Sequence, residues 1–183
     1  MNGFRCHTCG QWHDELPLDV GFDEPLYIHE LFADERAAQV TTAGDFRVCN
    51  GDQGTHYFVR GVIEVPIHES TEVFCFGVWT TLSAESFEQA RAAYRANEEA
   101  GPFFGWLSNR LTVYPDTLGL KTNVNVRPDH KPSIVLHGSP HPLHVEQRDG
   151  ITMDRVKQII EAVLHPETAT ETEAQGETGT GEH

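Results

Sequence analysis

Two runs near the middle of the chain, HYFVRGVIEVPI from His56 to Ile67 and EVFCFGVWTTL from Glu72 to Leu82, are dense in β-branched and aromatic residues and are separated only by a short polar stretch from His68 to Thr71. Such residues favour a pleated, half-buried surface, and so short a connection folds the second run back on the first. The pair predicts a β-hairpin at the centre of an antiparallel sheet.

Other segments attach to that hairpin. Leu118, Leu120, Thr122, Val124 and Val126 fall in phase, as in a strand with one buried and one wet face, and Ser133 to His137 reads as a further short strand. Ser83 caps a predicted helix to about Asn97, with Phe87, Ala90 and Tyr94 on one face and Gly101-Pro102 ending it. Phe103 to Leu107 is an aromatic cluster before a turn at Tyr114-Pro115-Asp116. Thr152 caps a last helix through Leu164, in which Val156, Ile159, Ile160 and Val163 recur at helical spacing. Pro25 to Val40, with Leu26, Ile28, Leu31, Phe32 and Ala38, predicts a short amphipathic helix. Strands grouped in the middle, with helices interspersed outside any βαβ rhythm, predict an α+β domain: a central antiparallel sheet with flanking helices.

That domain is expected to span residues 1–164. From His165 the chain reads HPETATETEAQGETGTGEH, with five glutamates and no Lys, Arg or aromatic residue, which predicts an acidic disordered tail over 165–183. The net charge of −15 argues against nucleic acid as a partner, because phosphate binding needs clustered cations, and against an anionic membrane surface. The longest apolar run, Val73 to Trp79, is far short of the roughly 20 residues that span a bilayer. Met1 to Arg5 carries no apolar leader, so the expected location is the cytoplasm.

The chemistry-bearing motif lies at the start. Cys6-His7-Thr8-Cys9-Gly10 places two thiols on one tight knuckle, and His13 follows four residues after Cys9. In a reducing compartment a CxxC pair of this kind binds metal or does redox work. The redox alternative needs a strand before the motif and a helix starting at it, whereas only five residues precede Cys6. A structural zinc needs two further ligands, and His13 and Cys49 are the candidates, so the expected set is Cys6, Cys9, His13 and Cys49. Cys75, between Phe74 and Phe76, reads as core.

Two further features bear on function. His141, His144 and Glu146 form a small group in which His144 and Glu146 share a side if the stretch is extended, and Pro142 argues against a regular helix through it. Two histidines and a carboxylate are a possible catalytic metal set, although the spacing differs from HExxH. Arg60 interrupts an apolar strand, and its charge must be paired or face a cleft. The expected role is structural, with Glu64 or Glu72 as partner; the functional alternative is an anion contact. Trp79, Trp106 and Phe104 are candidates for a ligand groove or for core.

The succession CHTCGQWH, YFVRGVIEVPI, FGVWTTLS, GPFFGWLSNRL, TLGLKT and HPLHVEQRDGIT resembles the bacterial family catalogued as domain of unknown function 2199, from Phe4 to about Leu164. The resemblance implies a small bacterial cytoplasmic protein with no assigned activity and a CxxC suggestive of zinc. Cys6 and Cys9 match that motif, and Cys49 resembles the cysteine preceding the Phe-x-Arg-Gly strand. With no nucleophile-base pair, phosphate loop or dinucleotide fingerprint, the expected function is a zinc-stabilised module that binds a protein partner. The alternative is a small metal-dependent hydrolase-like enzyme using His141, His144, Glu146 and Arg60.

Overall fold

The computed structural model describes residues 3–166. The tail expected over 165–183 therefore lies outside the described residues from Glu167 onward. Among the described residues, ten strands and five helices follow in chain order. They begin with β1 (Phe4–Arg5), β2 (Trp12–His13), β3 (Asp19–Gly21), α1 (Leu26–His29), α2 (Ala33–Gln39), β4 (Val40–Ala43) and β5 (Phe46–Gly51). The central hairpin is β6 (Gly54–Pro66) and β7 (Val73–Leu82), followed by α3 (Ala84–Ala96) and β8 (Ala100–Leu107). The series ends with β9 (Lys121–Val126), β10 (Ser133–Leu136), α4 (Pro142–Asp149) and α5 (Met153–Leu164).

The hairpin forms as its composition predicts, paired antiparallel from Tyr57↔Leu82 to Pro66↔Val73. The protein is mixed α and β, but the central sheet is not the plain antiparallel layer expected. Strands β6-β7-β8-β9-β10 close into a five-stranded barrel, because β10 returns parallel to β6 at Ser133↔Val62. The long hairpin strands make this possible by carrying two neighbours on each outer edge. One half of β6 pairs with β5 and the other half with β10. In the same way β7 carries β3, which is parallel to it, and β8.

Closure divides the hairpin into an inner and an outer face. Val59, Ile63, Val65, Phe74, Phe76 and Val78 point into the main core, where Leu143, Val156, Ile159 and Ile160 of α4 and α5 join them. On the outer face Phe58 and Trp79 pack with Ile28 of α1 and Cys49 of β5 into a second, smaller core. Trp79 is thus core, while Cys75, one step out of phase with Phe74 and Phe76, is only half-buried. In β9 the buried phase runs through Thr122, Val124 and Val126, and Leu118 before it stays exposed.

The helix over 84–96 has the expected Ser83 cap, with the Ser83 hydroxyl accepting from the Ser86 N–H at 3.1 Å, and it ends at Asn97 in the left-handed conformation. Thr152 caps α5 in the same way. The single helix expected over Pro25 to Val40 is two short ones, α1 and α2, joined through Leu31 and Phe32. The aromatic cluster at Phe103 to Leu107 belongs to a strand, β8. Among the described residues no helix is long and apolar enough to cross a membrane.

Candidate metal centre

Strands β1 and β2 pair antiparallel at Phe4↔His13 and Arg5↔Trp12, so the CxxC lies in the turn of a small hairpin. The Gly10 N–H donates to the Cys6 carbonyl at 3.0 Å, and the Cys6 N–H donates to the Gln11 carbonyl at 2.9 Å. Gly10 sits at φ +69°, a left-handed conformation that glycine adopts without a Cβ penalty, and this tightens the knuckle. Cys6 points inward at 1% exposure and joins the main core beside Phe4, whereas Cys9 faces solvent.

Four donor side chains meet there: Cys6, Cys9, His13 and His165, whose ligand atoms all lie within 4.8 Å of one another. The Cys9 Sγ is 3.6 Å from His13 Nε2. Zinc bond lengths to sulfur and nitrogen imply tetrahedral edges of about 3.4–3.8 Å, so this pair already has the required spacing and the others need only a small contraction. His13 stacks on Phe4 with ring centroids 5.2 Å apart, and His165 approaches His13 edge-on at 6.3 Å. Burial pushes the Cys6 thiol up, but N–H groups of Cys9 and Thr8 and the Cys9 side chain outweigh it and hold Cys6 below the usual thiol value. Lowering a thiol in this way favours the thiolate that binds metal.

Glu161 sets the fourth donor in place. This partly apolar-shielded carboxylate of α5 accepts the His7 N–H at 2.8 Å, while its own carbonyl accepts the His165 N–H at 3.0 Å. One residue therefore fixes both the knuckle and the end of α5. If the four donors hold a zinc ion, Glu161→Ala, which removes the carboxylate's hold on the His7 N–H and keeps the carbonyl that accepts from His165, is expected to weaken it by up to about tenfold, measured by competition with a chromophoric chelator.

A family model described as an uncharacterized protein conserved in bacteria, domain of unknown function 2199, matches residues 5–151. The chain belongs to this family. No curated protein and no solved structure matches it. The family match takes in Cys6, Cys9 and His13 and the whole barrel, and stops just before α5, directly after which His165 stands.

Cys49, expected as the fourth ligand, is not in the group. It lies on β5 opposite Val40 and His56, at 0% exposure, inside the outer core of Ile28, Phe58 and Trp79. Burial raises its thiol above the usual value, and its place in that core leaves it outside the group of donors at the knuckle. His165, assigned from sequence to the tail, stands at the knuckle instead. The CxxC is followed by β2 and no helix starts at it, so the setting of a thiol-redox motif is missing.

The residues of the hydrolase alternative do not converge. Pro142 is the first residue of α4, the one helical position where a missing N–H costs nothing, so the stretch is a helix and not extended. His141 caps it by accepting the Leu143 N–H at 3.2 Å, and His144 Nδ1 lies 2.8 Å from the Ser139 carbonyl. Glu146 pairs with Arg155 at 3.0 Å and accepts the Tyr114 hydroxyl, whose acidity burial and Glu146 strongly suppress. Arg60 belongs to another part of the molecule. Neither expected partner reaches it, because Glu64 pairs with Arg127 at 3.0 Å and Glu72 makes no ion pair among the described residues. Strand alternation explains its position: Val59, Ile63 and Val65 take the inner phase of β6, which leaves Phe58 and Arg60 on the outer one.

Proposed function

We propose that the protein is a cytoplasmic binding module, fastened by one structural zinc at Cys6, Cys9, His13 and His165, which recognises a protein partner and performs no chemistry of its own. Two thiols and two imidazoles are a donor set that suits zinc, and a reducing compartment keeps the thiols available. Closing such a site joins the first strand pair to the end of α5, which stabilises the body.

The observation that carries the binding role is an aromatic face on the outside of the barrel. Phe104 and Trp106 of β8 are each 44% exposed, and Val135 of β10 is 42% exposed. They stand in cross-strand rows: Phe104 opposite Asn123 and Asn123 opposite Val135, with Trp106 opposite Lys121. The two aromatic rings meet edge to face at 5.1 Å, His137 packs on Phe104 at 5.4 Å, and the Lys121 ammonium lies 5.9 Å from the Trp106 ring. Large rings held in place before association lose little entropy on binding, which is why such residues dominate interfaces. The flanking Lys121 and His137 suit a partner segment offering apolar side chains next to carboxylates.

A photo-crosslinking residue at position 104, introduced in the native cells, is expected to give a discrete adduct with one protein, and Trp106→Ser should suppress it. The same residue at Glu69, an exposed turn position remote from this face in sequence, serves as control. Adducts that are identical from positions 104 and 69, or none from 104, would contradict the reading.

A further inference from the structure

A cavity of about 730 Å³ opens on the outer face of the hairpin and is lined by Arg36, Arg47, Arg60 and Arg110 together with Asp23 and Glu24. Four of the thirteen basic residues of a strongly acidic chain thus face one hollow, against two carboxylates. Two of the four are committed: Arg36 pairs with Glu24 at 3.1 Å, and Arg110 pairs with Asp116 at 3.3 Å. Arg47 gives Nη1 to the carbonyls of Gly44 and Phe46 and rests its guanidinium 4.8 Å over the Trp79 ring. Arg60 has neither an ion pair within 4.0 Å nor a side-chain hydrogen bond among the described residues, and its buried Nε has no partner.

The backbone makes room for that guanidinium. A Cβ on Gly21 of β3 would stand 3.0 Å from Arg60 Nη2, and one on Gly77 of β7 would stand 3.6 Å from it. Gly21 and Gly77 are register partners, so two facing glycines leave the slot that Arg60 fills. A guanidinium fork held at the wall of a cavity and left without an internal acid is the arrangement that recognises a carboxylate or phosphate bidentately. We propose that this cleft binds a small organic anion bearing a carboxylate or phosphate group, gripped by Arg60 with Arg47 as the second cation.

Electrostatics around Arg47 agree with that assignment. Burial, with the charge of Arg60 adding to it, draws Arg47 below the usual guanidinium value, against the opposing pull of Glu24 and Asp45. Two cations that repel one another in a part-buried hollow are relieved by an anion between them. The cavity volume lies within the range of small-molecule sites, roughly 300–1,000 Å³. None of its lining residues belongs to the aromatic face or to the metal centre, so the cleft stands independently of both.

The test is a titration of the full chain at low ionic strength, followed by amide NMR, with inorganic phosphate in one series and succinate in the other. At least one probe is expected to saturate and to shift the resonances around Gly21 and Arg60. Arg60→Met should weaken that binding by about tenfold or more, as loss of a charge-assisted pair does, with melting little changed because no internal ion pair is broken. Gly21→Val, which displaces the guanidinium but keeps its charge, should weaken binding too and guards against a fold defect in the first variant. Arg91→Met, whose residue pairs with Glu88 on α3, should bind as the parent does. Saturation by phosphate alone assigns a phosphorylated ligand, and saturation by succinate alone a carboxylate one. No saturation by either probe up to about 10 mM, or undiminished binding in both Arg60→Met and Gly21→Val, would overturn the proposal.

Discussion

Gly105→Val should keep the barrel from closing and leave most of the protein insoluble. Gly105 lies on β8 where that strand meets β7, at a seam with only two paired positions, Thr80↔Leu107 and Thr81↔Trp106. A Cβ there would press on the Thr81 carbonyl and stand 2.6 Å from the Thr80 Oγ1. The Thr80 hydroxyl is fully buried and shares a 2.8 Å hydrogen bond with the Thr122 hydroxyl of β9, so the intruding side chain breaks a bond that no water can replace. Overpacking costs about 1–3 kcal/mol and an orphaned buried hydroxyl about as much again. A domain stable by about 5–15 kcal/mol loses much of its margin, and any soluble fraction should melt roughly 5–20 °C lower by circular dichroism. Unchanged melting would mean that β7 and β8 do not approach as closely as this.

Cys6→Ser should have the second large effect, through both metal and packing. If zinc joins the amino-terminal hairpin to the end of α5, it closes a loop of nearly the whole described chain. By analogy with a cross-link closing about 100 residues, that is worth about 4–5 kcal/mol. The loss corresponds to roughly 8–20 °C in melting temperature. A chelator added to the parent protein should lower its melting by most of that amount, and should leave the variant where it is. Equal melting of parent and variant, both before and after chelation, would leave the knuckle without a stabilising metal.

Local signals carried most of the elements. The hairpin was legible because Val, Ile, Phe and Trp crowd both runs with only a short polar link, and α3 and α5 because Ser83 and Thr152 mark their starts ahead of an apolar stripe. Barrel closure was not legible. It depends on how far β6 outruns β5, which leaves Val62 open to Ser133, and on Gly105 letting backbones approach, neither of which has a periodic signature. Pro142 misled by its usual effect inside a helix, since at the first position it promotes one.

The site was half legible for a related reason. Cys6, Cys9 and His13 are neighbours in sequence, and a turn alone brings them together. The fourth donor is set by tertiary structure: α5 has to run twelve residues past Thr152 before His165 reaches the knuckle. A histidine opening an acidic, apolar-poor stretch gives no hint of that. Cys49 had the right chemistry, but the alternation of β5 turns it to the outer core with Phe58 and Trp79, on the face opposite to Phe46. Arg60 was visible as an anomaly in its strand. Its lack of an acid depends on Glu64 being taken by Arg127, which lies far along the chain.

Four named ligands would hold the zinc, and native mass spectrometry of the full chain tests them directly. Protein purified without added metal is expected to carry one zinc, and Cys49→Ser should carry it as well. Cys6→Ser and Cys9→Ser should carry none, and a chain ending at Leu164 should lose it where a chain ending at Pro166 retains it. A metal-free parent, full zinc in Cys6→Ser, or zinc that disappears with Cys49→Ser and persists in the chain ending at Leu164 would contradict the assignment.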